Sequence, residues 1–421
     1  MAITIQEAAK TYSPVYNPIT TLLTSTNSGQ TNFRFLCDIY ITGQTFAGSS
    51  YLRLKAPLHP TNSTGVFDVS GILERYLTFD IGNDVNGFQL SANSIIEYQL
   101  KFGEEYGPSS GITTYANLTV DSARYAFNGG FDFLPFTAYS QADYVTGSAT
   151  RKQFTTHPTN TSQSRPQPIR SNEDAWTGVL LASSGDIKFA AIDTYNSSDV
   201  FLDAYKIINW QYFDVSPASE RRLRFPVGYN LDDIAQGDIV NGVLQPIVSN
   251  ASVYKWSVVF RNSSNVDVSE TRWYYKDTTC TNHTEYRLHF LNKLGGFDSF
   301  TFIRASHFTA DVTRKKYEKL ANRYISATDY GYTAKDAGTV NFYTELKDTV
   351  KLESDWVNED IHEWLEELVT SPVIFQDHST YGLVRVNLTD TKHTRKKRIT
   401  DRLFNMTVTL QYAHNRYRQR A

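Results

Sequence analysis

Cysteine is nearly absent: two residues in 421. A disulfide scaffold is therefore excluded. Cys37 falls on the alternating run Phe33, Phe35, Cys37, Ile39, Ile41 and reads as a small buried thiol, whereas Cys280 falls in a polar turn. Two methionines and thirteen prolines leave neither a Met-rich groove nor a Pro-rich linker. No apolar run approaches the ~20 residues of a membrane helix. The start, Met1 to Ser13, carries Glu7 and lacks a basic segment followed by an apolar one, so no secretory signal is expected. Without one, the Asn-x-Ser/Thr triplets at Asn117, Asn160, Asn196, Asn282 and Asn387 read as a by-product of composition. Excess charge is also missing. The formal net charge is −3, which argues against a protein that coats nucleic acid.

Aromatic residues are abundant. Tyr, Phe and Trp make up 14 % of the chain, side chains that favour strands and contact surfaces. Period-2 patterning dominates. In the first third, Ile96, Tyr98, Leu100 and Phe102 alternate with Glu97, Gln99 and Lys101, and one short helix is expected near Ile72 to Leu77 behind Asp68 or Ser70. The expected fold class is mainly β: tandem β-sandwich-like domains, then a C-terminal α+β domain with one amphipathic helix and a β-hairpin. The expected boundaries are 1–124 for an N-terminal β-sandwich, 125–298 for a second β domain with a long polar loop at 138–174, and 299–421 for the C-terminal domain. Trp256, Val258 and Phe260 on one strand, and Tyr286, Leu288 and Phe290 on another, anchor the middle region. Val357, Ile361, Trp364, Leu365 and Leu368 predict one helix over 354–369. Val384 to Leu388 and Phe404 to Tyr412 predict the closing hairpin.

Motifs of catalysis are scarce. His362-Glu363-Trp364-Leu365-Glu366 has a glutamate where a zinc-protease helix needs its second histidine, and reads as an acidic helix surface. Asp80 to Gly87 lacks the acids of a calcium loop at the required positions and reads as a turn. His-Pro-Thr-Asn occurs at His59 and again at His157, a turn-forming string in both places. No catalytic residue, cofactor or metal is expected, and no enzymatic activity.

Charge is patterned near the C-terminus. Residues 353–367 hold seven acids, Glu359, Glu363 and Glu366 among them, with no Lys or Arg. Residues 390–421 hold nine basic residues against two acids. Lys392, Arg395, Lys396, Lys397 and Arg398 occupy the tip of the expected hairpin, with Arg416 and Arg418 in the tail. Three readings stay open for the basic run: a solvated loop, an interface in which the basic tip and tail meet the acidic helix of a neighbouring subunit, and contact with nucleic-acid phosphates; the interface is the reading carried forward.

Several segments resemble known proteins. The string Phe290-Leu291-Asn292-Lys293-Leu294-Gly295-Gly296-Phe297-Asp298-Ser299-Phe300 resembles a strand–turn–strand of tail structural proteins of phages and prophages of Bacteroidetes-type bacteria. In physical terms, Asn292 and the two glycines permit positive φ in a turn between aromatic strands. The block Trp356 to Val373, the closing strand Asp401 to Ala413 and the segment Phe33 to Leu77 are similar to the same proteins. The resemblance implies a distal-tail-like virion component of tail or baseplate, assembled in the host cytoplasm. Its implied partners are copies of itself in a ring and other tail or neck proteins, with neither nucleic acid nor a membrane span. Two other readings stay open: an adhesin-like module that binds a glycan or receptor, with Trp273-Tyr274-Tyr275 as stacking platform, and a β-rich polysaccharide hydrolase.

Overall fold

The computed structural model describes the chain apart from residues 1–2, 47–48, 83–86, 159–162, 164, 184–185, 210–220, 235–245, 337, 391–402 and 415–421, and describes 114–118 by backbone alone. The protein is mainly β, with 46 % strand and 9 % helix. It divides into two units, Met1–Thr278 with Leu291–Asp298, and Thr279–Phe290 with Ser299–Ala421.

The first unit holds two sheet pairs. A three-stranded antiparallel sheet (Ile3–Glu7, Thr20–Ser25, Gly65–Asp68) shares a core with a six-stranded sheet centred on Ile95–Tyr106 and Arg34–Ile41. Phe35, Cys37 and Ile39 are fully buried there, as the alternation predicts. The non-alternating neighbours Leu36 and Asp38 are buried as well. Asp38 is tolerated because Arg53 grips both its carboxylate oxygens, at 2.6 and 2.7 Å. The short helix Ser70–Leu73 follows Asp68, whose Oδ1 accepts the N–H groups of Ser70 and Ile19. The second pair is a five-stranded sheet, ordered Gln167–Ile169, Arg272–Lys276, Lys255–Arg261, Phe189–Tyr195, Phe201–Ile208, and a three-stranded sheet of Trp176–Leu180, Arg222–Pro226 and Gln89–Leu90. Trp256, Val258 and Phe260 sit in the core between them.

The boundaries differ from the expected three domains. Residues 1–124 and 125–298 are not separate, because Gln89–Leu90 from the first third pairs with Arg222–Pro226 of the second. Arg222 then reaches back to the carbonyls of Ser94 and Asn128. The expected loop at 138–174 is also a packed segment. Gln153 and Phe154 are fully buried. The Phe154 N–H donates to Gly178 O at 2.7 Å, and Thr177 Oγ1 donates to Gln153 Oε1 at 2.9 Å. Gln167–Ile169 closes this segment as a parallel strand beside Arg272–Lys276. Its sparse aliphatics hid a core contribution made by a few scattered apolar side chains, Tyr139, Phe154 and Ile169, and by polar groups with partners.

The second unit carries a seven-stranded sheet. Its order is Phe297–Phe302, Tyr286–Leu291, Ile374–His378, Gly382–Leu388, Thr407–Tyr412, Thr339–Glu353, His307–Glu318. Leu288, Phe290, Val386, Val408 and Leu410 bury one face under Trp364, Leu365 and Leu368. The closing hairpin forms in part as expected, with Val386 opposite Tyr412 and Leu388 opposite Leu410, but its second arm is only Thr407–Tyr412, since Leu403–Phe404 pairs with Val357–Asn358 instead. The helix differs. Val357–Asn358 is a strand paired with Leu403–Phe404, and the Asn358 side chain accepts the Ile361 N–H at 2.9 Å. That cap starts the helix at Glu359, and two short helices, Glu359–Trp364 and Glu366–Thr370, replace the single one.

Candidate interaction surface

The acidic residues singled out by sequence lie on these two helices. Glu359 opens the first, in the turn where negative charge suits the helix dipole, Glu363 is exposed, and Glu366 opens the second. Their neighbour His362 is buried, its ring 5.2 Å from that of Phe404. Among the described residues no three His, Cys, Asp or Glu side chains gather as a metal site. The basic side of the expected interface, Lys392, Arg395, Lys396, Lys397, Arg398, Arg416 and Arg418, lies outside the described residues.

The other candidates resolve into structure. Asp80 ties its loop by accepting the backbone and side-chain N–H of Asn93, at 3.1 and 2.6 Å. His59 Nδ1 accepts the Thr61 N–H, whereas the second His-Pro-Thr-Asn copy places His157 in the core, where burial and the nearby Arg272 push its pKa down to about 3. Cys37 is buried and Cys280 exposed, and neither is bridged; burial pushes the Cys37 thiol up. Tyr274 is fully buried and stacked on Trp256, so the Trp273-Tyr274-Tyr275 platform is reduced to Trp273 and Tyr275, each half-buried against another ring. An open cleft of about 340 Å3 is lined by Tyr40, Thr42, Gln44, Ser50, Glu97 and Gln99. Its Tyr40 ring already carries the Lys101 ammonium at 4.1 Å and lies 5.3 Å from Tyr51, which leaves little bare aromatic face for a sugar.

The surface that sequence reading missed is an arm. The outgoing strand His307–Glu318 pairs antiparallel with the return strand Thr339–Glu353 along twelve register pairs. Among the described residues only the base of the return strand, Thr349 to Glu353, is also paired with Thr407–Tyr412. Beyond it the arm is two strands wide, and all twelve residues of the outgoing strand are exposed. Large apolar and aromatic side chains crowd it: Phe308 is 59 % exposed and Phe342 47 %, and near the tip Leu320, Tyr324 and Tyr332 reach 71–75 %. A basic cluster, Arg314, Lys315, Lys316 and Lys319, sits among them. The outgoing strand offered composition alone, Thr, Val, Phe and Tyr of high β-propensity without a buried face, whereas the return strand does alternate, with Val340, Phe342, Leu346, Val350 and Leu352 on one side.

No protein-family model matches the chain, and no curated protein sequence matches it. No helix among the described residues is long and apolar enough to cross a membrane.

Proposed function

We propose that the chain is a structural component of a phage tail or baseplate, working through contacts with copies of itself and with other virion proteins. The observation that supports this most is the arm. Exposed aromatic groups on a two-stranded ribbon contribute little to a solitary fold, since such a ribbon is marginal by itself, and contiguous exposed apolar surface commonly marks an interaction site. Covered by a neighbour, the same side chains become the core of an interface. The resemblance of the Asn292 to Gly296 turn and of the closing strand to tail proteins supplies the direction. In a closed ring each contact need only be modest, because many form together.

The test is localisation in the particle. An antibody raised against the purified chain is expected to label the tail or its distal end in electron micrographs of virions, and negative-stain images of the concentrated chain are expected to show rings. Absence of the chain from purified particles by mass spectrometry overturns the reading. Specific glycan binding by a chain that never assembles favours the adhesin-like alternative.

A further inference from the structure

The outgoing arm strand, His307–Glu318, is the last strand of its sheet among the described residues. Its pairing with the return strand runs unbroken from His307 opposite Lys351 to Lys315 opposite Tyr343. The one register shift leaves the extra residue, Phe342, on the return strand, so the outgoing strand keeps a regular edge. That edge holds no proline and no glycine. Folded proteins seldom leave such an edge open, because its unpaired N–H and C=O groups template another strand. Edge lysines are a usual guard, and Lys315 and Lys316 stand here, but Asp311 stands on the same strand four residues before Lys315.

The geometry points to a second copy of this chain as the occupant, the two outgoing strands pairing antiparallel about a two-fold axis at Thr313. A two-fold axis between antiparallel strands stands perpendicular to the sheet and keeps the faces of both strands on the same sides. Residues directly opposite one another share a face, so the axis must pass beside a residue paired with its own copy. Centring on Asp311, Arg314, Lys315 or Lys316 sets like charges against each other. Centring on Val312 leaves Asp311 opposite Thr313 and Lys315 opposite Thr309. Centring on Thr313 sets Asp311 opposite Lys315 of the second copy, twice, and brings no like charges face to face between 308 and 318. Opposite charges directly across a strand pair stabilise it, and like charges destabilise it. Centres nearer the strand ends pair fewer residues (at Tyr317, Lys316 meets Glu318 but Lys315 meets Lys319), so among the centres that pair most of the strand Thr313 alone sets opposite charges against each other.

This pair goes beyond the virion reading and does not depend on it. Neighbours in a polar ring are related by rotation about the ring axis, with no two-fold between them. The pair is thus a state of the free chain that shields the edge and opens when a ring assembles.

The experiment uses the full chain, nuclease-treated, in a Cys280→Ser background because Cys280 is exposed. Sedimentation at micromolar concentration is expected to give a dimer. Thr313→Cys is expected to cross-link two chains under mild oxidation, since paired Cα atoms about 4.5–5.5 Å apart lie within disulfide reach. Asp311→Lys is expected to weaken the dimer at least tenfold, and Asp311→Lys with Lys315→Asp to restore it. Circular dichroism checks that each variant folds. A monomeric parent chain, a dimer indifferent to Asp311→Lys, or a dimer lost on nuclease treatment (a nucleic-acid bridge) overturns the pair. Rings that form directly without a Thr313→Cys cross-link overturn it while supporting the virion reading. Absence from virions sinks that reading and leaves the pair standing.

Discussion

Two hairpins follow one another in the second half of the chain, and they are held in opposite ways. In the first, the turn between Tyr286–Leu291 and Phe297–Phe302 is gripped from all sides. Asn292 Oδ1 accepts the N–H groups of Leu294 and Gly296, at 3.0 and 2.9 Å. Arg222 donates to Leu294 O at 2.9 Å and lies over the Phe154 ring, while the Thr156 N–H and hydroxyl both donate to Asp298. Burial pushes the Arg222 pKa down to about 9, and its bonds are to carbonyls of three separate segments. The second hairpin, the arm, is held by its own ladder and little else. A gripped turn must carry residues that fit its surroundings. An arm needs only strand propensity, which leaves its surface free to be chosen for something outside the fold.

The largest effect is expected where the grip is tightest. Gly295 has φ +74°, and a Cβ there would stand 1.6 Å from Asn128 O. Gly382 has nearly the same φ, +68°, with open space around it. Gly295→Ala is expected to cost more than ~4 kcal/mol, because backbone must move, and Gly382→Ala only about 1–2 kcal/mol for the left-handed conformation alone. Urea unfolding of the two variants separates close approach from conformational strain. Equal losses would mean that the turn is not gripped as described.

Acid should act on the same packed region. His157 lies one residue beyond Thr156, buried and neutral, its pKa held near 3 against 6.5 by burial and then by Arg272. Between those values the unfolded chain binds a proton that the folded chain refuses, so stability falls as pH falls below 6.5. By pH 5 the loss is on the order of 2 kcal/mol. His289, buried in the other unit with Nδ1 2.7 Å from Ser299 Oγ, has its pKa lowered in the same direction, by burial and Arg287. The urea midpoint should drop between pH 7 and pH 5, and His157→Gln should remove part of that drop. An unchanged slope in the variant would show that His157 protonates without unfolding.

The contrast also explains what could be read from sequence. Alternation revealed the sheets because most strands bury one face, as at Tyr98, Leu100 and Phe102. The Asn292 to Gly296 turn was legible because its geometry demands glycine. Its clamp was not, since Arg222 sits in the run Arg221-Arg222-Leu223-Arg224, which looks like a charged surface. Phe154 was lost in a polar stretch for a similar reason: buried rings as far apart as Tyr139 and Phe154 make no period. The helix start was misplaced because Asn358 caps it from a strand that only Leu403–Phe404 defines. The acidic residues Glu359, Glu363 and Glu366 fell on helices as read, but nothing in the pattern of 307–318 marked a strand, because neither face of it is buried.

The smallest expected effect on stability is the most informative about the arm. Phe308 and Tyr332 are 59 % and 71 % exposed, so removing either side chain uncovers little that the fold had buried. Threonine keeps the strand propensity at Phe308, and Tyr332 lies just past the strand Asp329–Gly331, where no ladder depends on it. Phe308→Thr with Tyr332→Thr should therefore shift the unfolding free energy by no more than ~0.5 kcal/mol each, as is usual for surface positions. If the arm exists to be covered by neighbours, the same double variant should lose ring formation at concentrations where the parent chain assembles, since exposed aromatics become the anchors of an interface only once it forms. Thermal melting and negative-stain counts on one preparation give both readings. A large stability loss would show that the arm is part of the fold after all. Full assembly in the variant would show that its aromatic surface serves no neighbour.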